Sequence, residues 1–229
     1  MSAIDKIRER IKQKGLLHTL QSLWKRYVYF HRELLWLGRD LVTPVAPHNL
    51  RPYSGLRLVI ITPENATAFT KYYGNRVKAM AEIAAEGHTG HMYVNEEGDA
   101  IGFIWGSARD YFDRHYYGCW FRINPGEFFE FGGEMIPQYF GTSLSMDAQF
   151  KLWDAMRAKG CNKIVDVCDT RNIQAMKMHI RMDYQEQGRI THVYDLFGRW
   201  RFFRETYYTG SRLTALRKPE QRPVTAAQA

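Results

Sequence analysis

The segment EFFEFGGEMI, residues 127–136, carries three carboxylates in an otherwise aromatic and glycine-containing run. Its aromatic residues are typical of a β-strand. A glutamate buried beside phenylalanines has a raised pKa and can act as a general base near neutral pH. Because side chains alternate along a strand, Glu127 and Glu130 face opposite sides. We select Glu130 as the candidate base over Glu127 and Glu134; the alternative for each is an ordinary surface or salt-bridged carboxylate.

The strand continues into PQYFGTSLSMDAQFKLWDAM, residues 137–156, where a short loop with one glycine and several hydroxyl residues precedes a helix. The Gly132-Gly133 pair predicts a bulge in the strand, which would leave backbone groups free. The helix starting near Leu144 presents unpaired N–H groups, which favour an anion. Two interpretations are open: the loop cradles a phosphate, or it is a tight strand-to-helix turn.

The sequence predicts alternating strands and helices from Leu56 onwards. An apolar strand at 56–62 precedes two helices separated at Gly74, and a hairpin turns at residues 97–99. The strand at 127–136 and the helix ending at Gly160 come next. A strand, a helix and a final hairpin that turns near Gly198 complete the order. This order is β-α-α-β-β-β-α-β-α-β-β.

The element order and two short motifs resemble the Gcn5-related N-acetyltransferase (GNAT) superfamily over roughly residues 56–207. The resemblance implies an α+β fold with a mixed, mostly antiparallel twisted sheet flanked by helices. The family's loop reads Arg/Gln-x-x-Gly-x-Gly/Ala, and two registers fit. One uses Gln138, Gly141 and Ser143. The other uses Phe140, Ser143 and Ser145; it departs from the family at all three positions, but it gives the following helix its usual length and is preferred.

The second motif lies in NIQAMKMHIRMDY, residues 172–184. Family members often read Asn-x-x-Ala-x-x-x-Tyr, and this chain has Asn172, Ala175 and, in the tyrosine position, His179. The resemblance implies that Asn172 helps to hold the cofactor helix. It also implies that His179 protonates the leaving thiolate of coenzyme A, as a near-neutral imidazole can. The alternative is a polar residue on the solvent face of a short helix.

The resemblance implies an acyl-CoA, with acetyl-CoA first, as co-substrate. Its catalytic residues would be Glu130 and His179. Strand N–H groups freed near the bulge would meet the thioester carbonyl, and the pyrophosphate would lie over the loop. The implied cofactor-binding residues are Met135, Ile136, Gly141, Thr142, Ser143, Leu144, Ser145, Asn172 and Ala175. No metal site is expected, because Asp113 and His115 lack a third ligand nearby.

The expected function is an N-acyltransferase acting on a small amine or amino-sugar acceptor, in surface-polysaccharide or lipid-linked metabolism. The aromatic segment 110–121 could close over a sugar face or simply pack on the sheet. The alternative is a non-catalytic GNAT-like protein that binds an acyl-CoA or a partner. Binding of nucleic acid is not expected, because no recognition module is present.

The first 42 residues differ from the rest of the chain in charge and in the spacing of their apolar residues. Residues 1–40 contain nine Lys/Arg and four Asp/Glu, with apolar residues at helical spacing. They predict a basic amphipathic helical arm over 1–42, a Pro-rich connector at 43–55, a catalytic domain at 56–212 and a polar tail at 213–229. The arm could contact an anionic membrane surface or mediate a homodimer. The charged N-terminus lacks an apolar secretory core, and three cysteines form no C-x-x-C pair, so a cytoplasmic location is expected.

Overall fold

The computed structural model describes residues 28–42 and 53–213, together with Lys12, residues 15–18 and Trp24. Ten strands are found there: β1 (Tyr29–Asp40), β2 (Arg57–Ile60), β3 (Thr89–Val94), β4 (Ala100–Ser107), β5 (Tyr111–Asp113), β6 (Cys119–Phe121), β7 (Glu127–Met135), β8 (Lys163–Asp169), β9 (Gln185–Leu196) and β10 (Trp200–Tyr207). Eight of them form one sheet in the order β10-β9-β1-β8-β7-β4-β3-β2, and β5 pairs with β6 alone.

The helices are short apart from one. They are α1 (Thr70–Tyr73), α2 (Val77–Ala85), α3 (Leu144–Ala158) and α4 (Ile173–Arg181). Turns of 3₁₀ helix at Ala66–Phe69, Gly74–Arg76 and Pro137–Tyr139 join them to their neighbours. The element order predicted from Leu56 onwards is confirmed, including the break between two helices at Gly74, except that β5 and β6 form an additional hairpin where the prediction had no strands.

The helices cover opposite faces of the sheet, as two neighbouring residues of β4 show. Trp105 points towards α2, where its indole N–H lies 3.4 Å from the sulfur of Met80. A Cβ placed on Gly106, the next residue, would meet the side chain of Leu152 in α3. Successive residues of a strand point to opposite faces. The sheet is therefore sandwiched, with α1 and α2 on one face and α3 on the other.

The predicted helical arm is wrong for residues 29–40, which form β1 inside the sheet. β1 pairs with β8 on one side and β9 on the other. Leu34, Leu35 and Leu37 are completely buried. The apolar run in RELLWLG fits a central strand buried on both faces, and periodicity alone does not separate such a strand from a helix.

The correction to the arm also moves the domain boundary, because the folded unit includes β1 and does not begin at residue 56. The rest of the arm before residue 28, apart from the isolated positions given above, lies outside the described residues. So do residues 43–52 of the connector and the tail beyond Leu213. Within the described part of the chain, no helix is long and apolar enough to cross a membrane.

The aromatic segment 110–121 forms the β5–β6 hairpin and packs on the sheet. Tyr111 and Phe121 are buried against Phe129, with Phe121 stacked on that ring at a centroid distance of 4.5 Å. Asp113 closes the hairpin turn, because its carboxylate accepts backbone N–H groups from residues 115–117. Of the two interpretations given to this segment, packing accounts for its buried rings.

Candidate active site

β7 and β8 are parallel neighbours that pair over only part of their length. The ladder runs from Glu127 opposite Lys163 to Phe129 opposite Val165. The next matching positions would be Glu130 and Asp166, and no pairing between the described residues continues there. Like charges at facing positions of a sheet repel. The strands therefore part at these two carboxylates and leave a wedge between their C-terminal halves.

The bulge predicted at Gly132-Gly133 is confirmed. In the β4–β7 ladder, Phe103 faces Glu134 while Trp105 faces Phe131, so β7 has one extra residue between these pairs. Gly132 has a φ of +63°, a left-handed conformation that glycine adopts at low cost. The bulge lies on the β4 side of β7, so it bends the strand beside the wedge.

Glu130 lies beneath α3 and does not face an open cleft, contrary to our expectation. It is 4% exposed. Its carboxylate accepts hydrogen bonds from Trp153 Nε1 at 2.9 Å and from the hydroxyl of Tyr184 at 3.1 Å, and also from the amide of Gln149. These donors occupy the carboxylate and hold it inside the protein.

The predicted rise in the pKa of Glu130 is confirmed, although the reason is partly different. Burial raises the pKa of this carboxyl to about 7, and the negative charge of Asp166 adds to the effect. We expected phenylalanine neighbours to raise this pKa. In the structure, Glu130 is instead buried among polar side chains beneath α3.

His179 is also buried, with both ring nitrogens engaged. Nε2 lies 2.6 Å from Asp166 Oδ2, and Nδ1 lies 2.7 Å from the carbonyl oxygen of Ala175. Both partners are acceptors, so both nitrogens carry protons and the ring is a cation. Burial alone would lower the pKa of His179, but its interactions with Asp166 and Cys168 together outweigh burial, and the pKa lies well above the ordinary value. This pair joins α4 to β8, and neither nitrogen faces an open cleft.

Asn172 and Ala175 act together at the start of α4. Asn172 is the N-cap residue, and its side-chain oxygen accepts the backbone N–H of Ala175 at 3.1 Å. Such a cap is worth about 1 kcal/mol to a helix. Their spacing in the second motif is therefore explained by helix capping, which leaves a contact of Asn172 with a cofactor as a proposal.

The loop of the first motif enters α3 through a left-handed glycine, Gly141, with a φ of +78°. The N–H of Ser143 lies 3.3 Å from the hydroxyl of Tyr53, and the N–H of Leu144 lies 3.4 Å from Thr142 Oγ1. Both contacts are long. The first turn of the 15-residue helix α3 therefore has N–H groups available to an anion.

Met135 and Ile136 lie where β7 ends. Met135 pairs with Gly102 of β4, and the N–H of Ile136 donates to the carbonyl of Ile101 at 2.9 Å. The N–H of Ile136 is thus already bonded on the β4 side. The ladder resumes after the extra residue, and a contact of Met135 or Ile136 with a cofactor stays a prediction.

The structure brings Glu134 together with two residues that the sequence did not connect to it. Its carboxylate is ion-paired with Arg76, from the turn after α1, and lies 3.3 Å from the hydroxyl of Tyr116, from the β5–β6 loop. The Glu134 side chain is 37% exposed. Glu134 shares a face with Phe103, its partner in β4, so it opens towards the α1–α2 side.

Glu127, the first carboxylate of the strand, has the salt-bridged role considered for it. Its Oε1 lies 2.7 Å from Lys163 Nζ in the paired part of the β7–β8 ladder. Burial raises the pKa of Glu127, but the hydrogen bonds from Lys163 and Asn124 and the charge of Lys163 together outweigh it, so the pKa is lowered. The three glutamates of β7 therefore have three different environments, and Glu134 alone among them is open to solvent.

The sequence matches no protein-family model and no curated protein, but solved structures are similar to it. A Drosophila protein aligns with a TM-score of 0.52 and 10% identity, over 80% of this chain and 58% of that one. A GCN5-related N-acetyltransferase from Sphaerobacter thermophilus aligns with a TM-score of 0.47 and 11% identity, over 79% of this chain and 56% of that one. The aminoglycoside N-acetyltransferase AAC(6')-Iy, solved with CoA, aligns with a TM-score of 0.45 and 19% identity, over 60% and 93%.

The chain thus spans little more than half of the first two structures. Its own element order, its mostly antiparallel sheet and the wedge between β7 and β8 agree with the fold expected from the sequence. The chain therefore has a mixed α+β fold built on a large, mostly antiparallel sheet.

Proposed function

We propose that the protein is an acyl-CoA-dependent N-acyltransferase, with acetyl-CoA as donor and a small amine or amino sugar as acceptor. The observation that carries this proposal is the wedge at Glu130 and Asp166, followed along the chain by the loop 141–145 and the start of α3. A narrow pantetheine arm fits between parted strands. A pyrophosphate fits the N–H groups of a helix start.

The acceptor would approach from the α1–α2 side, where Glu134, Arg76 and Tyr116 meet. The carboxylate of Glu134 can take a proton from the ammonium form of an acceptor, directly or through water. The neutral nitrogen then attacks the thioester carbon and the C–S bond breaks. The nitrogen loses its second proton to solvent, and the thiolate takes a proton from solvent. We therefore place Glu134, rather than Glu130 or His179, at the reacting end of the site.

Coenzyme A binding tests the donor half of the proposal. Ser143→Asp puts a negative charge beside the first turn of α3, so we expect it to weaken the affinity for coenzyme A by at least about tenfold, from repulsion of the pyrophosphate. Thr209→Asp makes the same charge change in the exposed loop after the edge strand β10, four strands away from β7 in the sheet, and should leave affinity unchanged. Isothermal titration calorimetry measures both. Equal affinity in the two variants would remove the loop from the site.

The second prediction concerns Glu134. Glu134→Gln keeps the shape of the side chain but cannot accept the proton, so kcat should fall by about 100-fold, the lower end of the range for a lost general base. The matched control is Glu97→Gln, which removes the same charge from an exposed turn between β3 and β4. Release of free thiol with a panel of amino-sugar and other amine acceptors gives the rates. An unchanged kcat in Glu134→Gln would assign the base elsewhere.

The competing function is non-catalytic binding of an acyl-CoA, supported by the loss of the family's glycines at Ser143 and Ser145. Tight coenzyme A binding without turnover of any amine in the panel would favour it.

Two further proposals concern the binding partner of residues 1–27 and the compartment in which the protein lies. The basic residues 1–27, with seven Lys/Arg and two Asp/Glu, are proposed to contact an anionic membrane surface or a second copy. Three buried free thiols support a reducing compartment such as the cytoplasm.

A further inference from the structure

Three potential metal ligands meet on β1 and β9, in a part of the molecule that the proposed reaction does not use. Their donor atoms, on His31, Glu33 and His192, all lie within 4.8 Å of one another. His31 and Glu33 are two residues apart on β1 and so share a face, and His192 is the partner of Glu33 across the β1–β9 ladder. Two rigid paired strands thus supply all three.

The spacing of these donors is close to that of ligands around one ion. His31 Nε2 and His192 Nδ1 are 3.1 Å apart, and Glu33 Oε1 is 3.8 Å from the same Nδ1. Ligands at zinc bond lengths in a tetrahedral site are separated by about 3.4 Å. Both separations lie within about 0.4 Å of this value, and the third pair of donor atoms lies within 4.8 Å.

The surroundings of His192 suit a metal ligand. Its other ring nitrogen, Nε2, lies 2.8 Å from Thr206 Oγ1 on β10. A proton held there leaves the Nδ1 lone pair for a metal, and such an outer partner orients most ligating histidines.

Glu33 is divided between two neighbours. Its Oε2 lies 3.2 Å from Arg212, whereas Oε1 is the oxygen on the His192 side. One oxygen can therefore ligate while the other keeps its arginine. The ring of His31 is held by stacking on Tyr194 at a centroid distance of 4.6 Å.

We propose that His31, Glu33 and His192 form a binding site for a divalent metal ion of the zinc class. Two imidazoles and one carboxylate are a donor set that zinc accepts, and three protein ligands leave a coordination position for water. On binding, His31 moves its ring proton to Nδ1, and the hydrogen bond between the two rings is exchanged for two metal–nitrogen bonds. The ion would cross-link β1 to β9.

The test uses the full-length, untagged chain, stripped with a chelator and desalted. Zn²⁺ is titrated by calorimetry, and Co²⁺ by its visible absorption. We expect one ion per chain and a melting temperature that rises with Zn²⁺ concentration, because the ion binds the folded state. His192→Ala should weaken the affinity by more than about 100-fold, beyond the loss typical of outer partners. Glu33→Gln, which is nearly isosteric, should weaken it by at least about tenfold.

His115→Ala is the matched control, since His115 is a partly exposed histidine on the β5–β6 loop whose nearest carboxylate is 3.9 Å away. It should bind like the wild type. Absence of saturable one-to-one binding in the wild type would overturn the proposal. So would equal Zn²⁺ affinity in the wild type, His192→Ala and Glu33→Gln. Circular dichroism of each variant establishes that it is folded before titration.

Discussion

A chain that begins at Asn49 should fail to fold. It lacks β1, which lies between β8 and β9 and pairs with both. Without β1 the sheet is cut in two, and both β8 and β9 expose an unpaired edge. The buried side chains of Leu34, Leu35, Trp36 and Leu37 are lost with it, each worth about 2 kcal/mol of burial or more. That sum exceeds half of the usual stability of a domain.

The matched control is a chain that begins at Val28, which removes the preceding basic residues but keeps β1. We expect this chain to melt cooperatively. Its oligomeric state should match that of the wild type unless the removed residues mediate self-association. Circular dichroism and solubility compare the two truncations, and flotation with anionic vesicles tests the membrane proposal on the Val28 chain. A soluble Asn49 chain with a cooperative melting transition would contradict the central role of β1.

His179→Ala should be among the most destabilising single substitutions in the protein. The change removes the cation that pairs with the carboxylate of Asp166. The side chain of Asp166 is only 13% exposed, so its charge stays buried without a partner. Removing one partner of a buried ion pair costs about 3–5 kcal/mol. For a domain of this size that corresponds to a fall in melting temperature of roughly 6–20 °C. Urea denaturation and thermal melts measure the loss.

The double variant Asp166→Asn/His179→Ala separates the ion pair from the lost packing. It should recover part of the stability, because the uncompensated charge is gone. The control His115→Ala should change the free energy of unfolding by less than about 0.5 kcal/mol. A loss of kcat in His179→Ala with unchanged stability would instead support the thiolate-protonating role implied by the resemblance.

The difference in the free energy of unfolding between the wild type and His179→Ala should change with pH in one direction. The pKa of His179 in the folded protein lies above its ordinary value of 6.5, so the folded state holds this proton more tightly than the unfolded chain. The stabilisation is complete below that ordinary value and is lost as pH rises through the folded pKa. The gap between wild type and His179→Ala should therefore shrink towards alkaline pH. A gap that widens would show that the ring is neutral in the folded protein.

The sequence by itself determined the features that local rules govern. From Leu56 onwards, periodicity and the positions of glycine predict the element order apart from the β5–β6 hairpin. The bulge follows from Gly132-Gly133, because glycine adopts its left-handed backbone at low cost. The salt bridge of Glu127 with Lys163 is one of the environments that the sequence allows for this carboxylate. These features depend on neighbours within a few residues, which a single sequence displays directly.

Tertiary structure decided what depends on residues far apart along the chain. Whether 29–40 is a strand depended on β8 and β9, each more than a hundred residues away, because an apolar run takes the form that its neighbours can pair with. Which glutamate of β7 is buried depended on where Tyr184 and α3 pack. The pairing of His31 with His192 spans 161 positions, so no spacing motif could reveal it. Burial, charge pairing and metal geometry act through space, and the fold alone fixes those distances.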